Sequence, residues 1–340
     1  MNMDSVERLV VQVSESNRLL HQGGVSRWRI SLMLLDNTAE LLLKRECDSR
    51  LSLNHLGQGY YESVCAALER GETEEQPTPF DDDDEPPRKL VDVKVELERE
   101  LASDEELEKI ESEFAPKVAY LQRNDVFSPS HAAVLRRLHL YRNEIYHDDK
   151  VRPATVEAAA KIYTYVVCDL MRRSSTSGVP IAISAPTPEL DALYPEQHHP
   201  YELSRYADSL LSLSPIDTAE KLAETLSEHL IYRLEELDLD LSYVQTRGSN
   251  FGLVVDEELR ARALDEILSG HSLARKIGYR TVRQWKGSAH KLGRSADYVK
   301  AFEKFATTET ALEDVEVQVH HVVRALDRHI DEMIDWRRGK

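Results

Sequence analysis

Apolar positions recur at three- and four-residue spacing along most of the chain, the period of helices with one buried face. Residues 6–20 and 28–44 (WRISLMLLDNTAELLLK) are two such runs, separated by His21-Gln-Gly-Gly, a turn rich in backbone freedom. A third helix is expected at 59–70 and a heavily charged one at 90–114. Ser128-Pro129 places serine at an N-cap and proline at the first position of the next helix. That helix should end near His147, because Asp148 and Asp149 are poorly placed at a helix C-terminus. Pro153 opens another apolar helix to about Arg173, and helices resume at 201–213, 217–245, 256–269, 280–291 and 295–337. Strand-like alternation is scarce. The expected fold is therefore all-α: a helical bundle over 1–173, a linker rich in Ser, Gly and Pro over 174–200, and a second α-helical domain over 201–340.

Charge changes this picture only once it is located. The 340 residues hold 43 Lys+Arg against 61 Asp+Glu, a net charge of -18, which at first sight argues against a nucleic-acid partner. Residues 72–113 alone account for -13 of it, and 72–87 (ETEEQPTPFDDDDEPP) reads as an acidic loop or insert. Between residues 268 and 296 there is no acid, while Arg275, Lys276, Arg280, Arg283, Lys286, Lys291 and Arg294 give +7. Such segregation suits phosphate contact, an inter-subunit or intramolecular partner for the acidic segment, or a neutral surface. Ser272 to Trp285 has the look of a helix-turn-helix with Gly278 at the turn, one or two residues short of the usual connection. Long uncharged apolar runs and a secretory signal are both missing, so a soluble, cytoplasmic chain without a membrane partner is expected. Cys47, Cys65 and Cys168 are too far apart for a zinc ribbon and read as small apolar residues. The pairs His198-His199 and His320-His321 lack partners at metal-ligand spacing, so neither metal nor cofactor is expected.

The helix from Pro129 carries the candidate chemistry. On a wheel, Val134, Leu138, Tyr141 and Ile145 form its core stripe, and Val315, Val319, Val322, Ala325, Leu326, Ile330, Met333 and Ile334 form a core or dimer stripe on the last helix. Opposite the first stripe lie Arg136, Asn143 and His147, with His139 nearby and Arg142 on the flank. The string Arg142-Asn-Glu-Ile-Tyr-His147 resembles the signature of the HEPN family (higher eukaryotes and prokaryotes nucleotide-binding), over residues 1–173. The resemblance implies a helical bundle and a metal-independent endoribonuclease whose site is completed across a homodimer. It further implies a toxin or antiphage effector with an antitoxin or regulatory partner. In that setting Arg142 would neutralise the phosphate, Asn143 would orient, and His147 would be general acid/base. Arg136, His139, Arg275, Lys276, Arg280, Arg283 and Lys286 are candidates for RNA contact. Some toxin members carry a tyrosine two residues after the histidine as a target for adenylylation, and here that position is Asp149. The bland alternative is a solvated or helix-capping Arg-Asn-His cluster in a non-catalytic interaction or RNA-binding protein.

Overall fold

Gly23 and Gly24, with φ of 68° and 93°, take the left-handed backbone that closes the turn between α1 (Met3–Gln22) and α2 (Val25–Leu51). A computed structural model describes residues 3–52, 54–74, 88–147, 152–174, 187–194, 203–248, 257–269 and 277–338. Among them the fold is all-α, with a single isolated β-bridge between Glu74 and Lys89. Most of the acidic insert, residues 75–87, lies outside the described residues.

Helix α3 (Asn54–Glu69) pairs with α4 (Leu90–Glu100) around a small cluster of Val64, Ala67, Leu90 and Val93. The single helix expected over 90–114 is instead two, α4 and α5 (Asp104–Ser112), and a further helix, α6 (Phe114–Arg123), begins at its last residue. Two causes interrupt it. The Ala102 amide is taken by Asn54 Oδ1 at 3.0 Å, and Ser103 becomes an N-cap whose hydroxyl accepts from the Glu106 amide. Pro116 then falls in the first turn of α6, where its missing N–H costs no intrahelical bond.

Helix α7 (Pro129–His147) starts at the Ser128 cap and ends where expected, and α8 (Pro153–Ser174) follows. The expected linker contains a short helix, α9 (Pro188–Leu193), with Leu190 buried. The chain continues as α10 (Leu203–Ser212), α11 (Ala219–Gly248), α12 (Glu257–Leu268), α13 (Tyr279–Leu292) and the 40-residue α14 (Tyr298–Arg337).

Helix α8 is buried on nearly every side, because it packs against α1, α2, α7, α10 and α11. Helix α14 lies along α11 and also against α7. Helices on both sides of 174–200 therefore share one contiguous core, and the two parts read from the sequence do not have separate interiors. Val315 and Val319 of α14 belong to that core, whereas Met333 and Ile334 near its end are exposed. No described helix is long and apolar enough to cross a membrane.

Candidate active site

The core stripe expected on α7 is in place, with Val134, Leu138, Tyr141 and Ile145 each at most 5% exposed. What it leaves on the other faces differs from the wheel. The most exposed large side chains are Leu140 and Tyr146, while His139 and Arg142 turn toward α2. There they meet Asp36, a carboxylate only 1% exposed. His139 Nδ1 lies 2.9 Å from Asp36 Oδ1, and the Tyr163 hydroxyl of α8 donates to the same oxygen at 2.9 Å. Arg142 Nε stands 3.3 Å from Oδ2, an ion pair in which that buried nitrogen makes no full hydrogen bond. Burial, reinforced by Asp36, pushes the Tyr163 phenol well above its usual range, so it stays a neutral donor.

Arg142 also donates to Asn143 Oδ1 at 2.9 Å and places its guanidinium 5.0 Å from the centre of the Tyr146 ring. Its side chain remains 28% exposed, so a permanent cation sits at the mouth of the cluster. Glu144, the nearest acid on α7, is drawn away by Arg152 at 2.8 Å. Arg29 of α2 donates to the Ile145 carbonyl, which fixes the end of α7 against its neighbour. His147 is the last residue of α7, and its side chain lies outside the described residues, as do Asp148 and Asp149.

The remaining candidates for RNA contact separate into two places. Arg136 is half-buried and donates to Gln122 Oε1 of α6 at 3.0 Å; burial lowers its pKa without threatening its charge. Arg275 and Lys276, and the start of the expected helix-turn-helix at 272–276, lie outside the described residues. Arg280, Arg283 and Lys286 are carried by α13, which packs on α11, α12 and α14. Arg283 pairs with Glu257 at 2.6 Å and Lys286 approaches Glu235 at 3.8 Å, both at the surface. Among the described residues no ion pair joins α13 to the acids of 88–113, which pair with Arg88, Lys94, Lys109 and Arg123 or face solvent.

Asp36 was missed by the sequence reading, although a signal was present. A carboxylate inside the apolar run LMLLDNTAELLL, whose only acids are Asp36 and Glu40, must either face water or be paired, and apolar residues directly before Asp36 make pairing the expectation. Arg137 was missed as well. It is 7% exposed and points to α14, where its Nε donates to Glu309 Oε2 at 2.6 Å and its Nη2 to Glu313. Among the described residues no group of three or more His, Cys, Asp or Glu is arranged to hold a metal ion. Cys47 and Cys168 are buried, and burial pushes both thiols up to about 12, which leaves them unreactive. His320 pairs with Asp240 at 3.1 Å, and His198-His199 lie outside the described residues.

Comparison with protein-family models, with curated proteins and with solved structures finds no match to this chain.

Proposed function

We propose that the protein is a metal-independent endoribonuclease of HEPN type, working in the cytoplasm as a homodimer and cleaving RNA by attack of a ribose 2′-hydroxyl on the adjacent phosphate. The observation that carries the proposal is the partly exposed Arg142 side chain, anchored to the buried Asp36 and set beside Asn143 at the end of α7. A permanent cation held in this way suits the charge that develops on a pentavalent phosphorus centre, and it costs little reorganisation when that charge appears. His147 supplies proton transfer, as the resemblance implies. The exposed Tyr146 beside it offers an aromatic surface of the kind on which unpaired RNA bases stack. The role as a toxin or antiphage effector, restrained by an antitoxin or regulatory partner, follows from the resemblance. The anchoring of Arg142 by Asp36 also favours a second reading, a non-catalytic helical interaction or RNA-binding protein in which the pair is structural.

Cleavage of total RNA in EDTA separates the two. The wild-type protein should leave 2′,3′-cyclic phosphate ends, and Arg142→Ala and His147→Ala should each slow cleavage by about 100-fold or more. Intact RNA with the wild-type protein, or undiminished cutting by both variants, overturns the ribonuclease.

A further inference from the structure

Two histidines of α7 have described side chains, and their surroundings differ. His131 is 4% exposed, meets Ser128 through Nδ1 at 2.8 Å, and lies against Phe302 and Tyr298. It serves the start of the helix. His139 is stacked flat on Phe114, with ring centroids 4.0 Å apart and planes within 2°, so one face of the imidazole is walled. Its Nδ1 faces the buried Asp36 carboxylate at 2.9 Å. Its described polar contact is made through Nδ1 alone, which leaves Nε2 without a hydrogen bond among the described residues on a side chain 21% exposed.

A carboxylate on the Nδ1 side fixes the tautomer that presents the Nε2 lone pair outward. The other Asp36 oxygen faces Arg142, which is one turn further along α7. One buried anchor thus holds a cation and a base on the same face. The charged and titratable groups around the ring are Asp36 of α2, Arg142 of α7 and Tyr163 of α8; Lys117 of α6 is turned toward Glu40 at 3.9 Å.

We propose that His139 is a catalytic proton-transfer residue of this site and Asp36 its positioning residue, acting on an RNA phosphodiester held by Arg142. This deepens the ribonuclease proposal and rests on it. His139 Nε2 takes the proton of the 2′-hydroxyl, and the 2′-oxygen bonds to phosphorus. The bond from phosphorus to the 5′-oxygen breaks, and that oxygen leaves with a proton from His147, the acid of the proposed function, which solvent then reprotonates. His139 returns its proton to solvent, nothing is oxidised or reduced, and the products are a cyclic phosphate and a 5′-hydroxyl.

Two measurements on the full chain test this. In the first, the His139 Cε1 proton is followed by NMR, assigned by its loss in His139→Gln, while inorganic phosphate is added to the wild-type protein. A phosphate-dependent shift is expected; an unmoved resonance overturns the site, whether or not the protein cuts RNA. In the second, cleavage rates in EDTA are compared across pH for wild type, His139→Gln, Asp36→Asn and Asp36→Glu, with folding checked by circular dichroism. His139→Gln should be slower by about 100-fold or more and lose the limb of the profile that rises with pH, because a general base contributes about 10²–10⁴. Asp36→Asn should lose less, as a fall in kcat with KM unchanged, and Asp36→Glu should recover part of the rate. Cutting by His139→Gln within about threefold of wild type, or slower cutting with an unchanged profile, overturns the assignment while leaving the ribonuclease standing. A wild-type protein that leaves RNA intact removes both.

Discussion

His229 of α11 is 2% exposed, with its Nε2 3.1 Å from the Tyr141 hydroxyl. Burial, followed by the nearby guanidiniums of Arg233, Arg152 and Arg137, holds its pKa well below the usual histidine range, so the folded protein keeps it neutral. The unfolded chain protonates the same ring near pH about 6.5. Below that pH the unfolded state binds one more proton at this position, and stability falls as pH falls, until the folded-state pKa is reached. His229→Gln should remove this contribution. Urea unfolding of the two proteins should therefore converge as pH drops below about 6.5, by about 1.4 kcal/mol per pH unit, and a constant difference from pH 7.5 to 5 would contradict it. Neither this ring nor Asp36 stood out in the sequence, for one physical reason. Arg142, Asn143 and His147 announce themselves by type and spacing along one helix, whereas a buried polar group is defined by partners on other helices. Asp36 meets His139 and Arg142 across more than a hundred residues of chain, and His229 meets Tyr141 across 88.

At the scale of elements, α7 is held in place by charge as well as by its apolar stripe. Arg233 of α11, 2% exposed, binds Glu309 and Glu316 of α14 and donates to the Tyr141 hydroxyl of α7 at 2.7 Å; Tyr141 in turn donates to Glu309 at 2.9 Å. With Arg137 on Glu309 and Glu313, the network ties together three helices that are remote in sequence. Replacing one partner leaves buried charge unpaired, so Arg233→Met should destabilise the protein by about 3–5 kcal/mol, readable as a lower denaturant midpoint. A change within about 0.5 kcal/mol would mean that water reaches the glutamates and the network is not buried in solution. Helix existence was legible for most elements, since period and caps are local: Ser128-Pro129 opens α7, and 217–245, 280–291 and 295–337 appear as α11, α13 and α14 with ends moved by a few residues. The failure over 90–114 has a non-local cause. The sequence from Leu90 to Phe114 is compatible with one helix until Asn54, 48 residues away, takes the Ala102 backbone.

For the whole molecule, the segment 174–200 is a boundary of composition and not of packing. Helix α8 ends just before it, yet Ala159, Tyr163, Val167, Cys168 and Met171 are fully buried in a core completed by α10 and α11. The Arg172–Asp208 pair at 2.7 Å crosses the same junction. Removing residues 201–340 would leave one side of α8 in water, along with Tyr141 and Arg137 of α7 stripped of their partners Glu309 and Arg233. An apolar helix face uncovered in this way exceeds what a stable monomer exposes, and uncompensated buried charge adds to the cost. A fragment of residues 1–173 should therefore aggregate or unfold without a cooperative transition, while coexpression with 201–340 should recover a soluble, cooperatively unfolding complex. A fragment that melts cooperatively by itself would show that the N-terminal helices have a sufficient core of their own. The candidate site would then be separable from the C-terminal helices. If the fragment fails as expected, Asp36, His139 and Arg142 depend on the whole chain for their geometry, because the helix that carries two of them is braced by α11 and α14.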